Sequence, residues 1–178
     1  MNQNILKKRL FLTAIFAVLF ISKTLFAVSV FEEKVVVHAN RTWEATEIVT
    51  QENFVLSWNV SDDDLWTFNK DIFPEGHSAN GIEGIPALYG YVYPVEDIGK
   101  LIGRIGDYGK KFPMGTSGEI IVKGGEGGEY LYMTMNDETS QIYGKGFRDN
   151  EGQIIVTIIQ KPLNIAIEEQ NDKSPKQD

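Results

Sequence analysis

One run constrains the fold more than any other: Gln153-Ile-Ile-Val-Thr-Ile-Ile159, a β-branched stretch that is apolar on both faces. β-branched side chains lose rotamer freedom in a helix and pack well on a pleated surface, so this run reads as a strand inside a sandwich. A second strand precedes it, Leu131-Tyr-Met-Thr-Met135. Alternation puts Leu131, Met133 and Met135 on one face and Tyr130, Tyr132 and Thr134 on the other. Other apolar runs are short and closely spaced: 34–37, 47–49, 54–58 (with Phe54, Leu56 and Trp58 on one face), 101–105 and 119–122. Beyond residue 27 no window sustains a 3.6-residue apolar repeat. Many short strands with Gly-rich turns predict an all-β protein, a jelly-roll-like β-sandwich of two antiparallel sheets.

The ends read differently. Lys7, Lys8 and Arg9 precede an apolar core from Leu10 to Ile21, and Ala27 stands at a small-residue cleavage position. Residues 1–27 therefore read as a signal peptide, with Lys23 interrupting the run too early for a membrane anchor. That predicts a secreted or periplasmic protein with no membrane span in the mature chain. Residues 28–163 form the expected domain, and residues 164–178 read as a polar tail without order.

Losing residues 1–27 removes four basic residues and no acid. Thirteen basic residues then face 25 acidic ones, a net charge of −12. Such a balance excludes nucleic acid and anionic lipid as partners, since both are bound through Lys and Arg. There is no cysteine, so stability rests on a core rather than on disulfides. Oligomeric state is not set by these residues, and a homo-oligomer is compatible with them.

Catalytic residues are scarce. A nucleophile would have to be Ser or Thr served by His38 or His77. Gly115-Thr-Ser-Gly118 lacks the strand–helix setting of a nucleophile elbow. Asp62 and Asp64 sit in an acidic turn that reads as solvated. A non-enzymatic protein is expected. Between the last two strands lie Asn136-Asp137 and Asp149-Asn150, oxygen-rich pairs of the kind a hard cation takes as ligands. The same residues also build turns, with Gly152 supplying positive φ.

Four elements in order resemble the bacterial galactophilic lectins (LecA-like). They are Val37-His-Ala-Asn40 with Trp43; Lys100-Leu-Ile-Gly-Arg-Ile-Gly106; Phe112-Pro-Met-Gly115; and Leu131-Tyr-x-x-Met-Asn-Asp137 followed by Asp149-Asn-x-Gly152. The resemblance spans roughly residues 34–160. It implies a calcium ion held by Asp137, Asp149 and Asn150, with a backbone carbonyl near Gly146 and another from the loop after Trp66. It also implies a galactose-like sugar completing the coordination, contacted by His77 and Asn80 in His77-Ser-Ala-Asn80-Gly81. Asn80 is one methylene shorter than the Gln of that motif. The 137–149 segment, with Tyr143, Lys145, Phe147 and Arg148, is longer than in those lectins, and Asp149 adds a negative charge. The alternative is a structural or assembly β-sandwich of the cell envelope that has lost the sugar.

Overall fold

A computed structural model describes residues 29–142 and 144–173. Residues 1–28 (which include the expected signal peptide at 1–27), Tyr143 and residues 174–178 lie outside the described residues. The protein is an all-β sandwich of two antiparallel sheets, as its strand runs predict. Nine strands follow in order: β1 (Phe31–His38), β2 (Glu44–Val49), β3 (Phe54–Val60), β4 (Trp66–Thr67), β5 (Leu101–Ile105), β6 (Lys111–Pro113), β7 (Ser117–Ile121), β8 (Tyr130–Met135) and β9 (Glu151–Pro162). One sheet has the order β1-β9-β3-β7, with β4 pairing the start of β9; the other runs β2-β8-β5-β6. The first strand of each sheet lies beside a strand from the end of the chain. Closing the fold therefore needs long-range pairing.

The core sits where the inner faces meet. Leu131, Met133 and Met135 of β8 are fully buried, facing Ile154, Val156 and Ile158 of β9 with Leu56 and Trp58 of β3. Trp58 packs at 5.8 Å from the Phe112 ring and donates its indole N–H to the Met114 carbonyl. Burial of a large side chain of this kind contributes roughly 1.5–3 kcal/mol.

Two expectations need correcting. β9 is not covered on both faces: Ile155 is 42% exposed, while Ile154 and Val156 are enclosed. The outer face of its sheet is only partly covered, so the apolar run reflects β propensity as much as burial. The second concerns the tail, whose residues Leu163–Lys173 form helix α1. It packs on β9 and β3, with Lys161 Nζ 2.9 Å from Glu169. Docking on the sheet supplies what its weak apolar period does not. Among the described residues, no helix is long and apolar enough to cross a membrane.

The segment between β4 and β5 runs over the sandwich with few regular pairings. It is pinned by Asn136 at the end of β8, whose amide nitrogen donates to the carbonyls of Tyr93 (3.0 Å), Glu96 (3.2 Å) and Asp97 (3.0 Å). Its amide oxygen accepts the Tyr93 N–H at 2.8 Å. This clamp brings the long loop against the end of β8.

Candidate functional site

β8 ends at Met135 and β9 begins at Glu151, so the segment joining them turns at one end of the sandwich. Asp137 follows the Asn136 clamp and is nearly enclosed. Its backbone carbonyl accepts the Val92 N–H at 2.9 Å, and its Oδ1 accepts the Glu138 N–H at 2.7 Å. From the other side come Asp149 and Asn150, also buried. The loop after β4 closes on Asp149: Asn69 Nδ2 donates to its Oδ2 at 3.0 Å and Lys70 N–H to its carbonyl at 3.3 Å. Asn150 donates its amide to the Ala39 carbonyl at 2.9 Å, tying the β1–β2 turn to the same corner.

Gly146 starts the 3₁₀ turn Gly146–Arg148, and its carbonyl accepts the Asp149 N–H at 3.4 Å. A Cβ there would fall 2.4 Å from the Glu138 carbonyl oxygen, and φ is +55°. Only glycine lets the two arms of the segment approach this closely. The added length between Asp137 and Asp149 thus folds back on Glu138 rather than spreading the arms.

Asp137, Asp149 and Asn150 come together at this corner. Burial is the main influence on the Asp137 carboxyl and raises it to about 6. The Glu138 N–H and the neighbouring Asn150 amide oppose that rise, whereas the charges of Asp149 and Glu138 add to it. Asn150 lies beside the carboxyl, yet no donor reaches Asp137 Oδ2 in hydrogen-bond geometry. The Asn150 Oδ1 is likewise enclosed without a donor. Two buried oxygens lacking donors, beside a second carboxylate, fit the chemistry of an oxygen-ligated cation. The acids are few for such a site. Among the described residues no group of three or more His, Cys, Asp or Glu side chains is arranged to hold a metal ion.

The two residues assigned to the sugar have other work. His77 pairs its backbone with Trp66 and is 8% exposed. Its ring packs 5.7 Å from that of Phe68, and its Nδ1 lies 3.0 Å from the Ser78 carbonyl. A Cβ on Gly99 would lie 2.2 Å from the imidazole Cε1, so Gly99 is the wall that admits the ring. Burial holds the His77 pKa below its ordinary value, with the Ser78 carbonyl opposing, so the ring is neutral at neutral pH. Its Nε2 is enclosed and has no hydrogen-bond partner. Asn80 Oδ1 accepts the Thr116 N–H at 3.0 Å and thereby secures the turn between β6 and β7. His38 is engaged with Glu44, whose carboxylate lies 3.0 Å from its Nδ1.

Sequence reasoning missed Glu138, Asn69 and the clamping role of Asn136. Glu138 is buried and accepts Ser140 Oγ at 2.7 Å and the Ile142 N–H. Adjacency to Asp137 was the available signal for Glu138; nothing local marks Asn69, 80 residues from its partner Asp149. A cleft of about 390 Å³ opens beside the corner, lined by Trp66, Lys70, Glu75, Glu151 and Gly152 among others. Neither a protein-family model nor a curated protein matches the chain.

Proposed function

We propose that the protein is an exported, non-catalytic carbohydrate-binding domain that takes a galactose-like sugar through a calcium ion. The observation that carries this reading is the pair of buried, donor-less oxygens, Asp137 Oδ2 and Asn150 Oδ1, beside Asp149. A cation would satisfy both and offset the burial, and the smaller repulsion from Asp149 and Glu138, that keep the Asp137 proton on. Asp137, Asp149 and Asn150 would hold it with side-chain oxygens and Gly146 with its carbonyl. Calcium accepts six to eight oxygens, which leaves positions for a sugar diol. The resemblance of the motif order to the galactophilic lectins supports the same assignment.

A second reading is favoured by one observation: His77 Nε2 is enclosed, so the ring does not meet a hydroxyl in this arrangement. In that case the domain is an envelope or assembly sandwich that keeps the ion without the sugar. Two measurements separate the readings. With calcium at 100 times its dissociation constant, the fold should gain roughly 2.7 kcal/mol, seen as a melting temperature that rises with calcium and falls with chelator. Titration calorimetry with galactosides in calcium buffer should then show sugar binding. An identical melt with and without chelator sinks the calcium assignment; calcium stabilisation without sugar binding at millimolar concentration leaves the structural reading.

A further inference from the structure

The outer face of the β2-β8-β5-β6 sheet carries an arrangement that the calcium reading does not use. Arg104 of β5 and Tyr132 of β8 are register partners, and Trp43 immediately precedes β2. The Arg104 guanidinium carbon lies 4.2 Å from the Trp43 ring centroid and 4.9 Å from that of Tyr132. Lys111 Nζ is 5.8 Å from the same indole and is held there by donating to the Val92 carbonyl at 2.7 Å. Aromatic faces attract cations through their quadrupole, so the rings fix the plane of the guanidinium.

Arg104 lacks the partner that an arginine ordinarily finds. Among the described residues no carboxylate lies within 4.0 Å of it. Its Nε is enclosed without an acceptor. The chain carries eight more acids than bases, so acids are not in short supply. Glu44 is held by His38 and Arg41, while Asp107 and Glu129 act on the Tyr132 hydroxyl. Trp43 holds φ at +51°, a conformation that a bulky residue keeps only where its surroundings impose it.

We propose that Trp43, Arg104 and Tyr132 form a binding site for a sugar carboxylate, a uronic acid taken edge-on by the Arg104 fork. A guanidinium over aromatic rings still presents its donors in its own plane. A carboxylate continues that plane, and the two groups pair through parallel N–H···O bonds. The neighbouring ring faces offer an apolar surface to the C–H side of a pyranose. Phosphate fits less well, because its second charge is opposed by the acidic chain. The site needs no metal and stands apart from the acidic corner.

Tryptophan emission of the purified protein, titrated in chelator with galacturonate, is the test. Trp58 and Trp66 are buried with bonded indole N–H groups, so a ligand at this face is reported by Trp43. The expected result is a saturable change with galacturonate and none with galactose or with sodium chloride at matched ionic strength. Arg104→Gln should weaken binding at least about tenfold, as loss of a charged hydrogen-bonding partner does. Arg104→Lys, which keeps the charge without the fork, should weaken it less; calorimetry on that variant decides the matter should Arg104→Gln fail to fold. An equal response to galactose or chloride, unchanged affinity in both variants, tighter binding of inorganic phosphate, or no saturation by galacturonate would overturn the proposal.

Discussion

Asn136 and Asn150 are both buried amides at the same end of the sandwich, and their surroundings are opposites. Asn136 makes four hydrogen bonds, three through its amide nitrogen and one through its oxygen, all to backbone of the long β4–β5 loop. Asn150 donates to the Ala39 carbonyl, while its oxygen is buried without a donor beside the Asp137 carboxyl. A closed network holds architecture in place; an open one leaves room for a group that the chain does not supply. One residue after the Asn136 clamp, the chain turns into a corner with buried oxygens that lack donors.

The clamp should break hardest. Asn136→Ala removes four hydrogen bonds and leaves the Tyr93 N–H and carbonyl without their partner, and should cost about 3–5 kcal/mol of unfolding free energy in a urea titration. A loss below about 1 kcal/mol would mean that water replaces the amide readily and the clamp is not structural.

The corner should respond in the other direction when metal is withheld. Asp137 titrates at about 6 in the fold against an ordinary 3.8. Between those values the folded chain keeps a proton that the unfolded chain has lost. Metal-free stability therefore falls as pH rises through that window, and above it the deficit is roughly 3 kcal/mol. Below it both states are protonated and the deficit vanishes. In chelator, Asp137→Asn should accordingly melt higher than the parent at about pH 8 and match it near pH 3, while losing most of any response to calcium. A destabilised variant at pH 8 would show that the ionised carboxyl is well partnered after all.

The smallest effect belongs to Asn80. Its bond to the Thr116 N–H is exposed, so Asn80→Ala should lower stability by no more than about 1 kcal/mol. Galactoside titration calorimetry on the same variant sharpens the contrast. Unchanged affinity places Asn80 with the clamp as architecture, and a tenfold loss places it at a sugar.

Strand positions were largely legible, because β1, β2, β3, β5, β7, β8 and β9 each carry a short apolar or β-branched run. β4 and β6 were not. At two and three residues they contain no pattern, and they exist because β9 and β5 present free edges to them. Helix α1 escaped notice for a related reason, since its order comes from docking on β9 and β3. At the candidate site, Asp137, Asp149 and Asn150 stood out by residue type and by flanking the two longest apolar strand runs. His77 shows the limit: its motif spacing suggested an outward contact, and Gly99 together with Phe68 encloses it.

The sequence by itself determined the all-β class, the alternating core of β8 and the oxygen-rich character of the β8–β9 connection. Each of these follows from local chemistry: side-chain shape, a two-residue period and the donor and acceptor inventory of neighbouring residues. Only the tertiary structure decided which polar groups find partners. Asn69 reaches Asp149, Asn150 reaches Ala39 and Arg104 stacks between Trp43 and Tyr132 across gaps in the chain far longer than any turn. Satisfaction of a buried polar atom is a property of its enclosure, and enclosure is made by strands that meet only once the sandwich has closed.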